Sequence, residues 1–97
     1  MPRRRHAVVL GREVSVATTF PARLLGLAHR DRDEAGPGLL IPRCRSVHTF
    51  GMRFALDLYW LDERARLLRV DRAVPPRRLR RCAGAAAVLE VPVRRAG

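Results

Sequence analysis

Apolar and polar positions along the chain alternate in short stretches punctuated by Gly, Pro and Asp, a pattern that predicts strands more than helices. His6–Leu10 and Glu13–Ala17 are Val-rich and flank Gly11-Arg12, a two-residue loop with Gly first that suits a type II′ hairpin turn. Thr18-Thr19-Phe20-Pro21 then offers an N-cap hydroxyl and an early Pro. Leu24, Leu25, Leu27 and Ala28 follow on a helical period, so one short helix is predicted over Ala22–Ala28. His29–Gly38 is charged, ends in Gly36-Pro37-Gly38, and reads as a loop.

Leu39–Ile41 reads as a short buried strand that Pro42-Arg43 breaks. Cys44–Phe50 is extended in pattern, with Cys44, Ser46, His48 and Phe50 on one face, Arg45, Val47 and Thr49 on the other, and a bend at Gly51. Phe54, Leu56, Leu58 and Trp60 share one face of a long strand, and Ala55, Asp57, Tyr59 and Leu61 the other, as a central strand requires. Asp62–Ala65 is a polar turn and Arg66–Val74 the partner strand. After Pro75-Pro76 and an Arg-rich loop, Ala85–Val93 alternates with Ala87, Leu89, Val91 and Val93 inward; Pro92 marks it as an edge strand or a strand end. The sum is a mostly β (α+β) domain, a small antiparallel β-barrel or sandwich of about six short strands with one short helix.

Length and composition narrow the class. At 97 residues and 47% hydrophobic, the chain is expected to form a single domain over 1–97, with 1–5 and 94–97 as disordered basic tails. The longest apolar run, Gly84–Leu89, is far short of the roughly 20 residues of a membrane span. Only Ala7–Leu10 follow the basic start as an apolar stretch, too short for the core of a signal peptide, so a cytoplasmic location is expected. In that reducing setting Cys44 and Cys82 are expected to be thiols, although a disulfide between them would stabilise by about 3–4 kcal/mol.

The net charge is +11. Such a charge suggests a polyanion as partner, but all 20 basic residues are Arg and the chain has no Lys, Asn or Gln, the mark of a GC-rich coding background that raises Arg everywhere. The densest cluster is Arg77, Arg78, Arg80 and Arg81, read as a loop. With none of the five aromatic residues inside an Arg cluster, weak and nonspecific nucleic-acid contact is the expectation there.

Candidate chemistry gathers between Cys44 and Asp57. Cys44, His48 and Met52 are metal-ligand types at intervals of four, but on a strand that interval is about 13 Å, too far for one ion or for a Cys–His nucleophile pair. Asp57 sits among Phe54, Leu56, Leu58 and Trp60, where an unpaired carboxylate would cost several kcal/mol; it is expected to be a hydrogen-bonded core acid or a pocket acid. The leading reading is a non-catalytic binding or accessory module for a small ligand or protein, monomeric and without cofactor or metal. Its shallow site would be His48, Thr49, Met52, Arg53 and Asp57. The alternative is an electrostatic polyanion binder through Arg77, Arg78, Arg80 and Arg81; an enzyme of unknown type comes third.

Gly38-Leu39-Leu40-Ile41-Pro42 and the stretch Cys44–Asp62, containing Met52-Arg53 and Leu56-Asp57, resemble the bacterial and archaeal family named domain of unknown function 192 (DUF192). Leu25-Gly26-Leu27 with Arg30, Val74-Pro75-Pro76 and Ala85–Glu90 extend the resemblance from about Glu13 to Val93. It departs at Ala55, where a Pro is usual. The resemblance implies a compact, mostly β fold and no established activity.

Overall fold

A computed structural model describes residues 5–17 and 36–93. The described residues form eight strands: β1 (Arg5–Val9), β2 (Arg12–Val16), β3 (Leu39–Pro42), β4 (Ser46–His48), β5 (Leu56–Leu61), β6 (Leu67–Val74), β7 (Leu79–Arg81) and β8 (Ala87–Pro92). Six of them make one sheet in the order β1-β2-β3-β8-β5-β6, and β4 and β7 make a separate two-stranded ribbon. All pairs are antiparallel except β2 with β3.

The predicted barrel is not found. Among the described residues β1 and β6 end the order of the large sheet without pairing with each other, so the sheet stays open, and β4 and β7 pair with each other apart from it. The fold is mostly β and compact. The predicted helix over Ala22–Ala28 lies outside the described residues, as do 1–4 and 94–97 of the predicted tails; Arg5 already belongs to β1.

Local sequence explains most strand boundaries. The first hairpin turns at Leu10-Gly11, one residue before the predicted loop, since Val9 pairs with Arg12. Both turn residues have positive φ, 52° and 76°, which is the type I′ geometry that matches strand twist; type II′ needs only the first. The second hairpin closes over Asp62–Arg66. The Asp62 carboxylate accepts the N–H groups of Arg64 (2.8 Å) and Arg66 (2.9 Å), and Ala65 takes a φ of 60°. A three-residue loop ending in a left-handed residue is the expected solution for such a hairpin. Backbone hydrogen bonding from Arg66 is the main reason that the Asp62 carboxyl titrates below its ordinary value.

β8 is central, between β3 and β5, so of the two positions that Pro92 suggested, edge strand or strand end, the second holds. Pro92 is its last residue, where a missing N–H costs the ladder little. Both faces of β8 are buried, and the core accordingly divides in two. Leu39, Ile41, Leu56, Leu58, Trp60 and Val88 form one cluster, onto which Val47 and Met52 pack from the ribbon side. Val9, Val14, Leu61, Leu89 and Val91 form the other, with Leu40 and Tyr59 beside them. Strand alternation puts these clusters on opposite faces of the sheet. Close approach at β8 explains Gly38: a Cβ there would lie 3.2 Å from the Glu90 carbonyl oxygen and 3.3 Å from side-chain atoms of Leu89 and Val14.

Candidate functional site

The ribbon is where sequence-predicted residues converge. β4 and β7 pair with Ser46 opposite Arg81, Val47 opposite Arg80 and His48 opposite Leu79. Alternation turns Val47 into the core and leaves Ser46, His48, Leu79 and Arg81 exposed on the outer face. Thr49, fully buried, fastens the next turn of chain to this ribbon. Its hydroxyl donates to the Pro75 carbonyl (2.7 Å) and accepts the Arg78 N–H (2.8 Å). Its own N–H donates to the Arg78 carbonyl (2.8 Å), and its carbonyl accepts the Arg77 N–H (3.2 Å). The Arg cluster, predicted as a loop, is therefore a clamped turn leading into a strand. Proline-rich punctuation masked a strand only three residues long, whose partner lies over thirty positions upstream.

Just beyond Thr49 the chain turns at Phe50-Gly51. The Met52 N–H reaches the Thr49 carbonyl (3.2 Å), and Gly51 takes the φ of 81° that the third position of a type II turn requires. Phe50 is left 56% exposed at the tip, its ring centroid 5.9 Å from that of His48 at a tilt of 48°. Linear sequence separates Phe50 from the Arg cluster; the pairing of β4 with β7 and the Thr49 clamp bring Arg77 and Arg78 to the end of the ribbon where Phe50 lies, and leave Arg81 at the other end, opposite Ser46. Cross-strand pairing is the signal that linear sequence lacks.

The five residues expected to share a shallow site are distributed differently. His48 and Arg53 are exposed, Thr49 is the buried clamp, and Met52 is in the core cluster at 8% exposure. Asp57 is on the other face of the large sheet, with Tyr59 and Val91, and its side chain is 18% exposed, not buried among Leu56, Leu58 and Trp60. One-residue alternation accounts for this: Leu56, Leu58 and Trp60 face the first core cluster and Asp57 faces away. Its Oδ1 accepts the Ala73 N–H (2.8 Å), and its Oδ2 is 4.0 Å from Arg72. The β5–β6 register shifts here, Leu56 pairing with Val74 but Leu58 with Asp71, so Arg72 and Ala73 both stand opposite Asp57. Asp57 thus satisfies an N–H that the bulge leaves out of the ladder. It also lines an open depression of about 470 Å³ with Arg12, Pro37 and Tyr59, in which Arg12 donates to the Pro37 carbonyl at 3.0 Å.

The four clustered arginines also divide. Arg77, Arg78 and Arg81 are exposed, whereas Arg80 is half-buried on the Val47 side. There it contributes to the field around Asp71. Burial works against the Asp71 carboxylate, but hydrogen bonds from Trp60 Nε1 (2.9 Å) and Arg69 (3.0 Å), with the charges of Arg69 and Arg80, outweigh it and hold its pKa below the ordinary value. Arg69 lies over the Trp60 ring at 5.7 Å and also donates to the Arg81 carbonyl, tying the ribbon to the large sheet. Cys44 and Cys82 are half-buried thiols packed at the margin of the first core cluster, Cys44 Sγ donating to the Ser46 carbonyl at 3.1 Å.

The family model DUF192, described as Uncharacterized ACR, matches residues 3–97. The chain belongs to the DUF192 family. The resemblance read from about Glu13 to Val93 is thereby borne out, over residues 3–97. A crystal structure of a protein of unknown function from Novosphingobium aromaticivorans DSM 12444 is similar to this DUF192 chain, with a TM-score of 0.71 and 18% identity over 91% of this chain and 81% of that one. At that identity the likeness shows the fold alone. No curated protein matches the chain. Family and neighbour are both of unknown function, so neither assigns a function to this DUF192 domain. Among the described residues no helix is long and apolar enough to cross a membrane.

Proposed function

We propose that this DUF192 domain is a small, non-catalytic binding module that receives an anionic partner on the outer face of the β4–β7 ribbon, acting as a cytoplasmic monomer. One observation carries the reading: the Thr49 clamp holds Arg77 and Arg78 at the end of the ribbon that carries exposed His48 and Phe50, and the Ser46–Arg81 pairing sets Arg81 on the same outer face toward its other end. Guanidinium groups suit phosphate and carboxylate through paired N–H donors, and a clamped backbone spends less conformational entropy on binding than a loop would. His48 enters this reading as a contact residue and Thr49 as a positioning residue. Arg80, drawn toward Asp71, is left out of it.

The test is the salt dependence of binding to heparin, used as a simple polyanion. Affinity is expected to fall linearly on a log–log plot between about 50 and 200 mM salt. Arg77→Ala/Arg81→Ala should flatten that slope, and Arg12→Ala, on the far side of the large sheet, should not. An affinity indifferent to salt, or a slope unchanged in the double variant, would refute the reading.

A further inference from the structure

We infer that the anionic partner is single-stranded nucleic acid, with its phosphates on Arg77 and Arg81 and a base against Phe50; this rests on the polyanion reading above. Charge alone would not require Phe50, Leu79 and His48 on the same face, yet Phe50 is 56% and Leu79 52% exposed, and Leu79 stands directly opposite His48. Val8, Leu10, Leu67 and Leu68 are exposed as well, so what distinguishes Phe50 and Leu79 is their place beside His48 on the face that carries Arg81, at the ribbon end where Arg77 and Arg78 are clamped. Rings flanked by arginines form the surface on which unstacked bases pack while the backbone is neutralised, and every base offers a π-face to such a surface. His48 and Phe50 already lie in contact, with ring centroids 5.9 Å apart, so part of the platform exists before a base arrives.

Duplex DNA fits less well. A two-stranded ribbon can enter a major groove, but it reads base edges there with polar side chains. The outer face of this ribbon carries Ser46, His48 and Arg81, but exposed Leu79 beside them and Phe50 just past the end offer a base edge no hydrogen bond. Apolar and aromatic groups fit base faces, which become accessible only when bases are unpaired. Anionic lipid would also meet arginines with Phe and Leu, but membrane-surface binding draws on a broad apolar face, and here only Phe50 and Leu79 supply it.

Fluorescence anisotropy of the intact protein, at about 50 mM salt, against four probes separates these cases: oligo-dT of about 12 nucleotides, an abasic strand of equal length, a dA·dT duplex of equal length, and phosphatidylserine vesicles. Oligo-dT should bind about tenfold more tightly than the abasic strand, and Phe50→Ala should remove that difference without weakening abasic binding. Since Phe50 is an exposed turn residue, this variant is expected to fold, which its melting curve checks. Arg77→Ala/Arg81→Ala should weaken both strands and reduce the salt slope by about 1.4. Equal affinity for oligo-dT and the abasic strand, a duplex that binds at least as well as oligo-dT, or tighter binding to vesicles would overturn the single-strand inference and leave the polyanion reading standing. No binding to any of the four probes would overturn both.

Discussion

Asp57 illustrates how far residue-level reasoning reaches. An acid flanked by Leu56 and Leu58 demands a hydrogen-bond partner, and it has one, the Ala73 N–H. What the sequence did not disclose is the bulge that creates this donor, because a register shift depends on the partner strand and leaves no mark in the strand that carries the acid. The magnitude follows from exposure. Ala73 is exposed and the Asp57 side chain keeps 18% of its surface, so water can replace part of the lost bond, while Arg72, 71% exposed at 4.0 Å, adds little. Asp57→Ala should therefore destabilise by about 1 kcal/mol, near the typical net value of one hydrogen bond. For a chain of this size that is a fall of roughly 4–8 °C in melting temperature. Asp57→Asn, which retains an acceptor, should fall by less. An unchanged melt for Asp57→Ala would show that the bulge holds without its acid. Thr49 teaches the complementary lesson: a hydroxyl expected to meet ligand instead satisfies two backbone groups of the turn at Pro75–Arg78.

Elements with local signals were legible, and those defined by distant pairing were not. Both hairpins and strands β3, β4, β5, β6 and β8 sit within a few residues of their predicted places, because turn chemistry and period-two alternation are local. β7 was hidden by its brevity, and Pro92 left open whether β8 lay at an edge or merely ended there. The hairpin over Asp62–Arg66 gives a direct check on turn geometry. Ala65 occupies a left-handed conformation, φ 60°, that costs a residue bearing a Cβ about 1–2 kcal/mol relative to Gly. Gly is also more flexible when unfolded, which offsets part of this gain. Ala65→Gly is therefore expected to stabilise by about 0.5–1 kcal/mol in chemical denaturation. A loss of stability would mean that the loop does not hold the left-handed residue described.

At the scale of the molecule, the ribbon and the large sheet share the first core cluster, and the Trp60–Asp71–Arg69 cluster joins them further by reaching the Arg81 carbonyl. The Asp71 carboxyl has a folded pKa below the ordinary 3.8. Its contribution is thus fully present above the unfolded value, near pH 4, and is lost as pH falls through the folded value. Asp71→Asn should be less stable than the parent at pH 7, and the gap should narrow in thermal melts below about pH 4. Asp62 titrates low as well, so the comparison of variant with parent, and not the parent's curve alone, isolates Asp71. A gap constant from pH 7 to pH 3 would contradict the ion pair. The central claim for the whole domain is that its binding surface is the β4–β7 ribbon. Mapping amide chemical shifts of the labelled protein on titration with oligo-dT tests it most directly. Shifts concentrated at Ser46–Gly51 and Arg77–Arg81 are expected. Shifts centred on Arg12, Asp57 and Tyr59 instead, or none at saturating oligonucleotide in low salt, would contradict it.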